Sequence, residues 1–341
     1  MDACWSVHLL RGSAVLMADD LSRTLNTDLY VQACGDCHLL NFGAYATPER
    51  KLVFDINDFD ETLPAPWEWD VKRLATSFVV AGQDNQIDTE VARLVAKACV
   101  RSYRENLRKY SKLSPLELWY KQLDLAKFAQ KAPTKKAKLY REELIKRAES
   151  RVAEYLFPKI TTEVDGKKRL IDQLPLIFHQ NEDFEAQAKQ VISDYREFLR
   201  DDRKILMDRY QLEDIAVKVE GIGSVGARCF VALFMTSNDE PLLLQVKEAR
   251  PSVLEPYAGK SNYEKHGQRV VFGQRLTQFS SDIFLGWARG PKGRDFYVRQ
   301  LRDMKVSFTF DEVTPLRLKN YAKYCGQALA RSHAKSGNAG P

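Results

Sequence analysis

The sequence predicts an α+β protein, and three observations carry that expectation. Apolar residues recur at helical spacing in several separated stretches. Aromatic and β-branched runs bounded by turn residues cluster in two places, around residues 30–57 and 217–301. A chain of 341 residues with 44% hydrophobic content is long enough for two domains or one large two-lobed one.

In chain order, residues 9–25 place Leu10, Ala14, Met17 and Leu21 on one helical face, and LYVQAC then reads as a short buried strand. The segment GAYATPERKLVFDIND reads as a hairpin with Thr47–Arg50 as its turn and Lys51–Asn57 as its return strand. WDVKRLATSFVVAG, from Trp69, is helical, with Asp70 in the first turn where the helix dipole favours a carboxylate. Residues 88–110 form another amphipathic helix, and 115–157 a basic helical region in which interspersed glutamates mark a solvated face. Asp165-Gly166 signals a hairpin, and 181–208 returns to helix. Strands follow in RCFVALF and LLLQVKEA, a helix in 261–280, a hairpin in FLGWARG and DFYVRQL, and a last helix that Gly337 ends.

Composition limits the partners. The 52 basic and 46 acidic residues leave a net charge of +6, which permits nucleic acid without indicating it. No apolar run approaches the ~18 residues of a membrane span, and MDACWSVHLLRGS has neither the basic region nor the apolar core of a signal peptide. A cytoplasmic protein without membrane or nucleic-acid partners is expected, with Cys4, Cys34, Cys37, Cys99, Cys229 and Cys325 as reduced thiols. Cys34-Gly-Asp-Cys37-His38 spells the haem-attachment pattern, but covalent haem needs an export signal. A redox pair is also set aside, because Cys34 ends an apolar strand.

Two stretches carry chemistry. In the first, Asp36, His38 and Asn41 share one loop, and the seven residues from Asp55 to Glu61 hold four carboxylates: Asp55, Asp58, Asp60 and Glu61. Like charges at that density repel unless a cation or a phosphate-bound metal lies between them, so a divalent-ion site is expected. Strand alternation sends Asp58 to the face of Phe54 and Ile56, toward Asp36 and Asn41, and Asp55 to the other face. In the second stretch, Gly221, Gly223 and Gly226 form G-x-G-x-x-G. A dinucleotide fingerprint must open a helix, whereas here a strand follows and then a second strand with Lys247 on the face of Leu243 and Gln245. That layout covers nucleotide phosphates and holds them with an ammonium.

Long stretches of the chain, among them LRGSAVLMADDL, GDCHLLNFG, FDINDFDETLPAPWEWDVKRLA, GIGSVGARC, LQVKEARPSVLEPYAG, SDIFLGWARG, YVRQLRDMK and ALARSHAKSG, resemble the bacterial family catalogued as domain of unknown function 2252. That name conveys no activity. A second resemblance does: GDCHLLN looks like the G-D-x-H-x-x-N loop of aminoglycoside-phosphotransferase-like kinases, and INDFDE followed by WEWD looks like their metal-binding segment and later helix-start Asp.

This resemblance implies a protein-kinase-like two-lobed fold that binds ATP and Mg2+ and passes a phosphoryl group to an unknown small-molecule or protein hydroxyl. Asp36 would be the catalytic base with His38 beside it, and Asn41 and Asp58 would hold metal with Asp60 adjacent. Asp70 would brace the loop. Gly221, Gly223, Ser224 and Gly226 would cover the phosphates that Lys247 binds. The glycine loop follows the catalytic loop instead of preceding it, which implies a circular permutation, with ALARSHA as the helix that normally runs into the catalytic loop. The expected parts are 1–82 for the catalytic loop and metal segment, 83–215 for a mainly helical insertion, 216–308 for the β-rich nucleotide part, and 309–341 for the returning helix. Kinases pair the strand lysine with a helical glutamate. Glu255 and Glu264 are the candidates, and the family often has Glu where this chain has Phe272. Two other classes remain: a nucleotide-binding pseudokinase, and a metal-dependent hydrolase using Asp36, His38, Asp55 and Asp58 without ATP.

Overall fold

The computed structural model describes residues 5–130, 135, 139, 142–143, 145–146, 153–219, 226–301, 306–307 and 313–337. Much of the expected 115–157 helical region, together with Gly221, Gly223 and Ser224, lies outside them. The chain is α+β, with several small sheets, as the sequence predicts. Its first part runs α1 Trp5–Gly12, α2 Ala14–Ser22, β1 Tyr30–Ala33, β2 Phe42–Ala46, β3 Leu52–Ile56, β4 Leu63–Pro66, α3 Trp67–Asp84 and α4 Thr89–Tyr110. The middle holds α5 Pro115–Trp119, α6 Leu125–Gln130, α7 Ala153–Ile160, β5 Thr161–Val164, β6 Lys167–Leu170, β7 Ile177–Phe178, α8 Glu182–Phe198 and α9 Asp201–Met207. Then come β8 Gln211–Lys218, β9 Cys229–Met235, β10 Pro241–Ala249, α10 Glu255–Ala258, α11 His266–Thr277, β11 Gly286–Arg289, β12 Asp295–Gln300, β13 Val306–Ser307 and α12 Pro315–Ser336.

One core is helical. The Asp88 carboxylate caps α4 by accepting from the amides of Glu90 and Val91 at 3.0 and 3.1 Å. Its apolar stripe of Ala92, Val95, Ala96, Cys99 and Tyr103 is buried with Leu318, Ala322, Cys325 and Leu329 of α12. Gly326 sets their approach, since a Cβ there would lie 2.3 Å from the Cys99 carbonyl oxygen. Val71, Leu74 and Phe78 of α3 complete the layer, on which Phe42, Phe54 and Ile56 of the β2–β3 hairpin pack. β13 pairs with the other edge of β2, and β1 pairs antiparallel with β4.

The second core surrounds a six-stranded antiparallel sheet in the order β11-β12-β10-β9-β8-β7. Period-2 alternation divides its strands. Phe230, Ala232, Phe234, Leu242, Leu244 and Val246 face Ala188, Val191, Ile192 and Tyr195 of α8, while Val231, Leu233 and Leu243 face Ile160 and Leu170. Lys247 therefore shares the Leu243 face, as expected. α11 lies against both halves, because Gly267 and Gly273 let it come close: a Cβ at Gly273 would sit 2.4 Å from Thr62 Cγ2.

Two expected helices are broken. Residues 9–25 split at Ser13, whose amide and hydroxyl both turn back to the Leu10 carbonyl, a local bond that competes with helix continuation. Residues 181–208 split after Phe198, where Leu199 and Arg200 are extended. No helix among the described residues is long and apolar enough to cross a membrane.

Candidate functional site

The loop after β1 is built by one residue without a side chain and one buried acid. Gly35 has φ +86°, and a Cβ on it would lie 2.3 Å from the Glu61 carbonyl oxygen, so glycine is required there. Asp70, in the first turn of α3, accepts from the amides of Cys34 at 2.7 Å and Gly35 at 3.0 Å. His333 Nε2 of α12 lies 3.1 Å from the same carboxylate, and its Nδ1 lies 3.0 Å from the Tyr103 hydroxyl.

This bracing presents Asp36. Arg73 Nε donates to Asp36 Oδ1 at 2.7 Å, and Arg73 Nη2 donates to the Leu10 carbonyl at 2.8 Å, tying α1 to the loop. The His38 ring caps the short turn Leu39–Asn41, its Nδ1 accepting from the Leu40 amide at 3.2 Å, while Nε2 stands 3.6 Å from Asp36 Oδ2. Burial pushes the His38 pKa down to about 4, against the pull of Asp36 and with help from Arg73 and Arg11. The ring is thus neutral at pH 7, and its contacts are those of a loop brace. Asn41 Nδ2 donates to the Asp36 carbonyl at 2.6 Å, and the Asn41 carbonyl accepts from the Asn57 amide at 2.7 Å, which joins the loop to the acidic segment.

In that segment Asp58 Oδ1 accepts from the Asp60 amide at 3.3 Å. Asp60, expected beside the metal, has both carboxylate oxygens engaged: Oδ1 accepts from the Tyr297 hydroxyl at 2.7 Å, and Oδ2 pairs with Lys247 Nζ. Residues 187 positions apart thus meet, with Lys247 fully buried. Burial alone would lower the Lys247 pKa, and the Asp60 carboxylate more than reverses it, so the ammonium stays charged. Buried Arg269 of α11 donates to the carbonyls of Thr62, Asp60 and Arg250 at 2.7, 2.8 and 2.7 Å. Glu61 accepts from the Val253 amide at 2.7 Å, and burial pushes its carboxyl up to about 7.

Several expected residues stand elsewhere. Asp55 is fully buried, accepting from Arg331 Nη2 at 2.5 Å and the Phe279 amide at 2.9 Å, so it does not join Asp36 and Asp58 in one acidic set. Lys247 has Asp60 in place of a helical glutamate: Glu255 Oε1 accepts from the Ser252 amide at 3.3 Å, and Glu264 pairs with Arg289 at 3.3 Å. The Phe272 ring stacks on Tyr263 with centroids 5.1 Å apart. Of the glycine loop, Gly226 is described, with φ +81° and a carbonyl that accepts from Arg250 Nη2. For Cys34 a hydrogen bond with Cys37 works downward, but burial and nearby carboxylates raise the thiol to about 11. Burial carries Cys37 well above its usual range, so neither is a reactive thiolate. Among the described residues no group of three or more His, Cys, Asp or Glu is arranged to hold a metal ion.

Arg73, Tyr297 and Arg269 were not singled out from the sequence. Only Arg73 left a signal, being the i+3 neighbour of Asp70 on one helix face.

A family model described as an uncharacterized protein conserved in bacteria, DUF2252, matches residues 8–340. The chain belongs to the DUF2252 family. The match takes in every residue of this site, from the Asp36 loop to His333. No curated protein and no solved structure matches this DUF2252 chain significantly.

Proposed function

We propose that this protein is an ATP- and Mg2+-dependent phosphotransferase with a kinase-like site in circularly permuted order. The observation that carries the reading is the meeting of Lys247 with Asp60 beside Asp58: a strand lysine just after the glycine loop reaches the acidic segment that Asn41 ties to Asp36. The permutation is supported where α12 ends. Ser336 Oγ accepts from the Gln32 amide at 3.0 Å across 304 residues, and His333 reaches Asp70, so the last helix abuts the strand that feeds the Asp36 loop.

The donor set suits the metal. Mg2+ takes hard oxygen ligands, usually one or two carboxylates completed by substrate phosphates and water, so a full protein cage is not required. Asp58 and the Asn41 side-chain oxygen would hold it, and when bound it neutralises charge on the transferring phosphoryl group. Asp36 has Oδ1 on Arg73, which orients the carboxylate, while Oδ2 is beyond hydrogen-bond reach of His38. Asp36 takes the acceptor hydroxyl's proton as that oxygen bonds to the γ-phosphorus. The bond from this phosphorus to the β,γ-bridging oxygen breaks, and ADP leaves. Lys247 carries the charge that faces the α- and β-phosphates, exchanging its contact with Asp60 for them.

Thermal denaturation with MgATP tests this. At a hundred times its Kd, a ligand adds about 2.7 kcal/mol, or roughly 4 °C in Tm for a cooperative unit of this size. Most of that shift is expected to vanish in Lys247→Met and Asp58→Asn. No shift in the wild type at millimolar ATP with Mg2+ would refute the assignment. A full shift without ADP release over a broad acceptor panel would move it to a nucleotide-binding regulator.

A further inference from the structure

Register and alternation put four side chains on one face of the six-stranded sheet: Gln245 and Lys247 of β10, with Arg299 and Tyr297 of β12 opposite them. Three of these reach the acidic segment, and they do so at two points. Lys247 and Tyr297 hold the two carboxylate oxygens of Asp60, whereas Arg299 Nη1 donates to the Asn57 carbonyl at 3.2 Å. The segment is thus fastened to the sheet on both sides of Asp58. Arg299 is itself held in place: its Nε donates to Gln245 Oε1 at 2.9 Å, and the guanidinium lies 5.5 Å from the centre of the Tyr297 ring. Buried Gln245 is oriented in turn, its Nε2 lying 3.7 Å from Cys229 Sγ. The two fastenings respond differently to nucleotide. Lys247 gives up Asp60 for the phosphates, but the bond from Arg299 to a backbone carbonyl needs no exchange.

We propose that Arg299 is the positioning residue for Asp58: by holding the Asn57 carbonyl to the sheet, it keeps the carboxylate that would carry Mg2+ in register with the phosphates on Lys247. The inference rests on the phosphotransferase reading above. Arg299 suits the task because its rigid planar fork serves two acceptors at once, the Gln245 side chain and the Asn57 backbone, which a flexible ammonium does less well. A group that orients a metal ligand without touching the metal acts on metal affinity, and its loss costs roughly tenfold to a hundredfold. Arg299 therefore tunes the metal complex of the nucleotide, while Lys247 holds the nucleotide itself.

The test is calorimetric titration of the full chain with ATP, once in excess Mg2+ and once in EDTA. Arg299→Gln should raise the Kd for MgATP roughly tenfold to a hundredfold and leave the Kd for metal-free ATP unchanged. Arg299→Lys should recover part of the loss. Equal weakening of both forms, the mark of a direct phosphate contact or a damaged fold, overturns the proposal, as does an unchanged Kd for MgATP. Should Arg299→Gln not fold, Gln245→Met removes the acceptor of Arg299 Nε and keeps the charge; a smaller loss confined to MgATP is expected, and no such selective loss overturns the proposal. Where the wild type binds ATP only with metal, or not at all, Mn2+ titration without nucleotide, followed by water proton relaxation, decides the role of Arg299. Mn2+ binding that Asp58→Asn abolishes and Arg299→Gln weakens supports it; no Mn2+ binding, or binding indifferent to Arg299→Gln, refutes it. A wild type that binds no MgATP also ends the phosphotransferase reading, separately from the Mn2+ result.

Discussion

Asp70 is 1% exposed, and its carboxylate accepts from two backbone amides of the loop that carries Asp36. Asp70→Ala removes that acceptor, leaving the buried Cys34 amide and the Gly35 amide without partners. Hydrogen bonds to a charged group contribute about 1.5–3 kcal/mol each, so the two amides together represent about 3–6 kcal/mol. Against a total stability on the order of 5–15 kcal/mol, this is a large fraction. Asp70→Asn keeps the shape and one carbonyl oxygen but turns an NH2 toward the second amide, and about half that loss is expected. Urea unfolding would show a lowered midpoint at unchanged slope, larger for Ala than for Asn. Native-state exchange should also speed up at the Cys34 and Gly35 amides ahead of the α4 amides. A loss under about 1 kcal/mol for Asp70→Ala, or unaltered exchange at those two amides, would refute this account of how the loop is held.

Two further outcomes follow from charged groups outside that loop. His179 sits between two acids, Nδ1 2.7 Å from Asp172 and Nε2 3.0 Å from Asp214, and although burial lowers its pKa, the bonds to Asp214 and Asp172 raise it overall. A raised folded-state pKa gives stability that is complete below the unfolded value of about 6.5 and is lost as pH climbs through the folded pKa. The Tm advantage of wild type over His179→Gln should therefore shrink between pH 6 and 9; an advantage constant over that range would contradict the ion pairing. Arg331 and Asp55 are each 1% exposed, and Arg331→Met should cost about 3–5 kcal/mol in urea unfolding by stranding the acid. Adding Asp55→Asn should recover part of this, and strictly additive losses would show that the two charges do not couple.

Short-range effects made much of the fold legible. The turn at Thr47–Arg50, the Asp165-Gly166 hairpin and the start of α4 each depend on residues a few positions apart, and each stands where the sequence places it. Alternation likewise put Lys247 with Leu243 and separated Asp55 from Asp58. The misses arise where a partner lies far along the chain or a local bond competes. Arg331 is 276 residues from Asp55, so nothing local showed that this acid is matched by a buried cation. The kinase resemblance implies a helical partner for Lys247, yet its partner Asp60 stands in the acidic segment. At Ser13 the hydroxyl's own bond to Leu10 broke a periodicity that apolar spacing alone would continue.

The position of α12 also governs the order in which the molecule can mature. His333 meets Asp70 across 263 residues, and Ser336 meets Gln32 across 304. During synthesis the Asp36 loop precedes α12 by most of the chain, so two of its supports are made long after it. Such distant closures slow folding, because loop entropy is lost before the contacts form. A nascent chain stopped before α12 would hold the α4 stripe and β1 uncovered, the kind of surface that chaperones bind. The Asp36 loop thus gains two of its supports only when α12 docks, so the loop and this helix become ordered together.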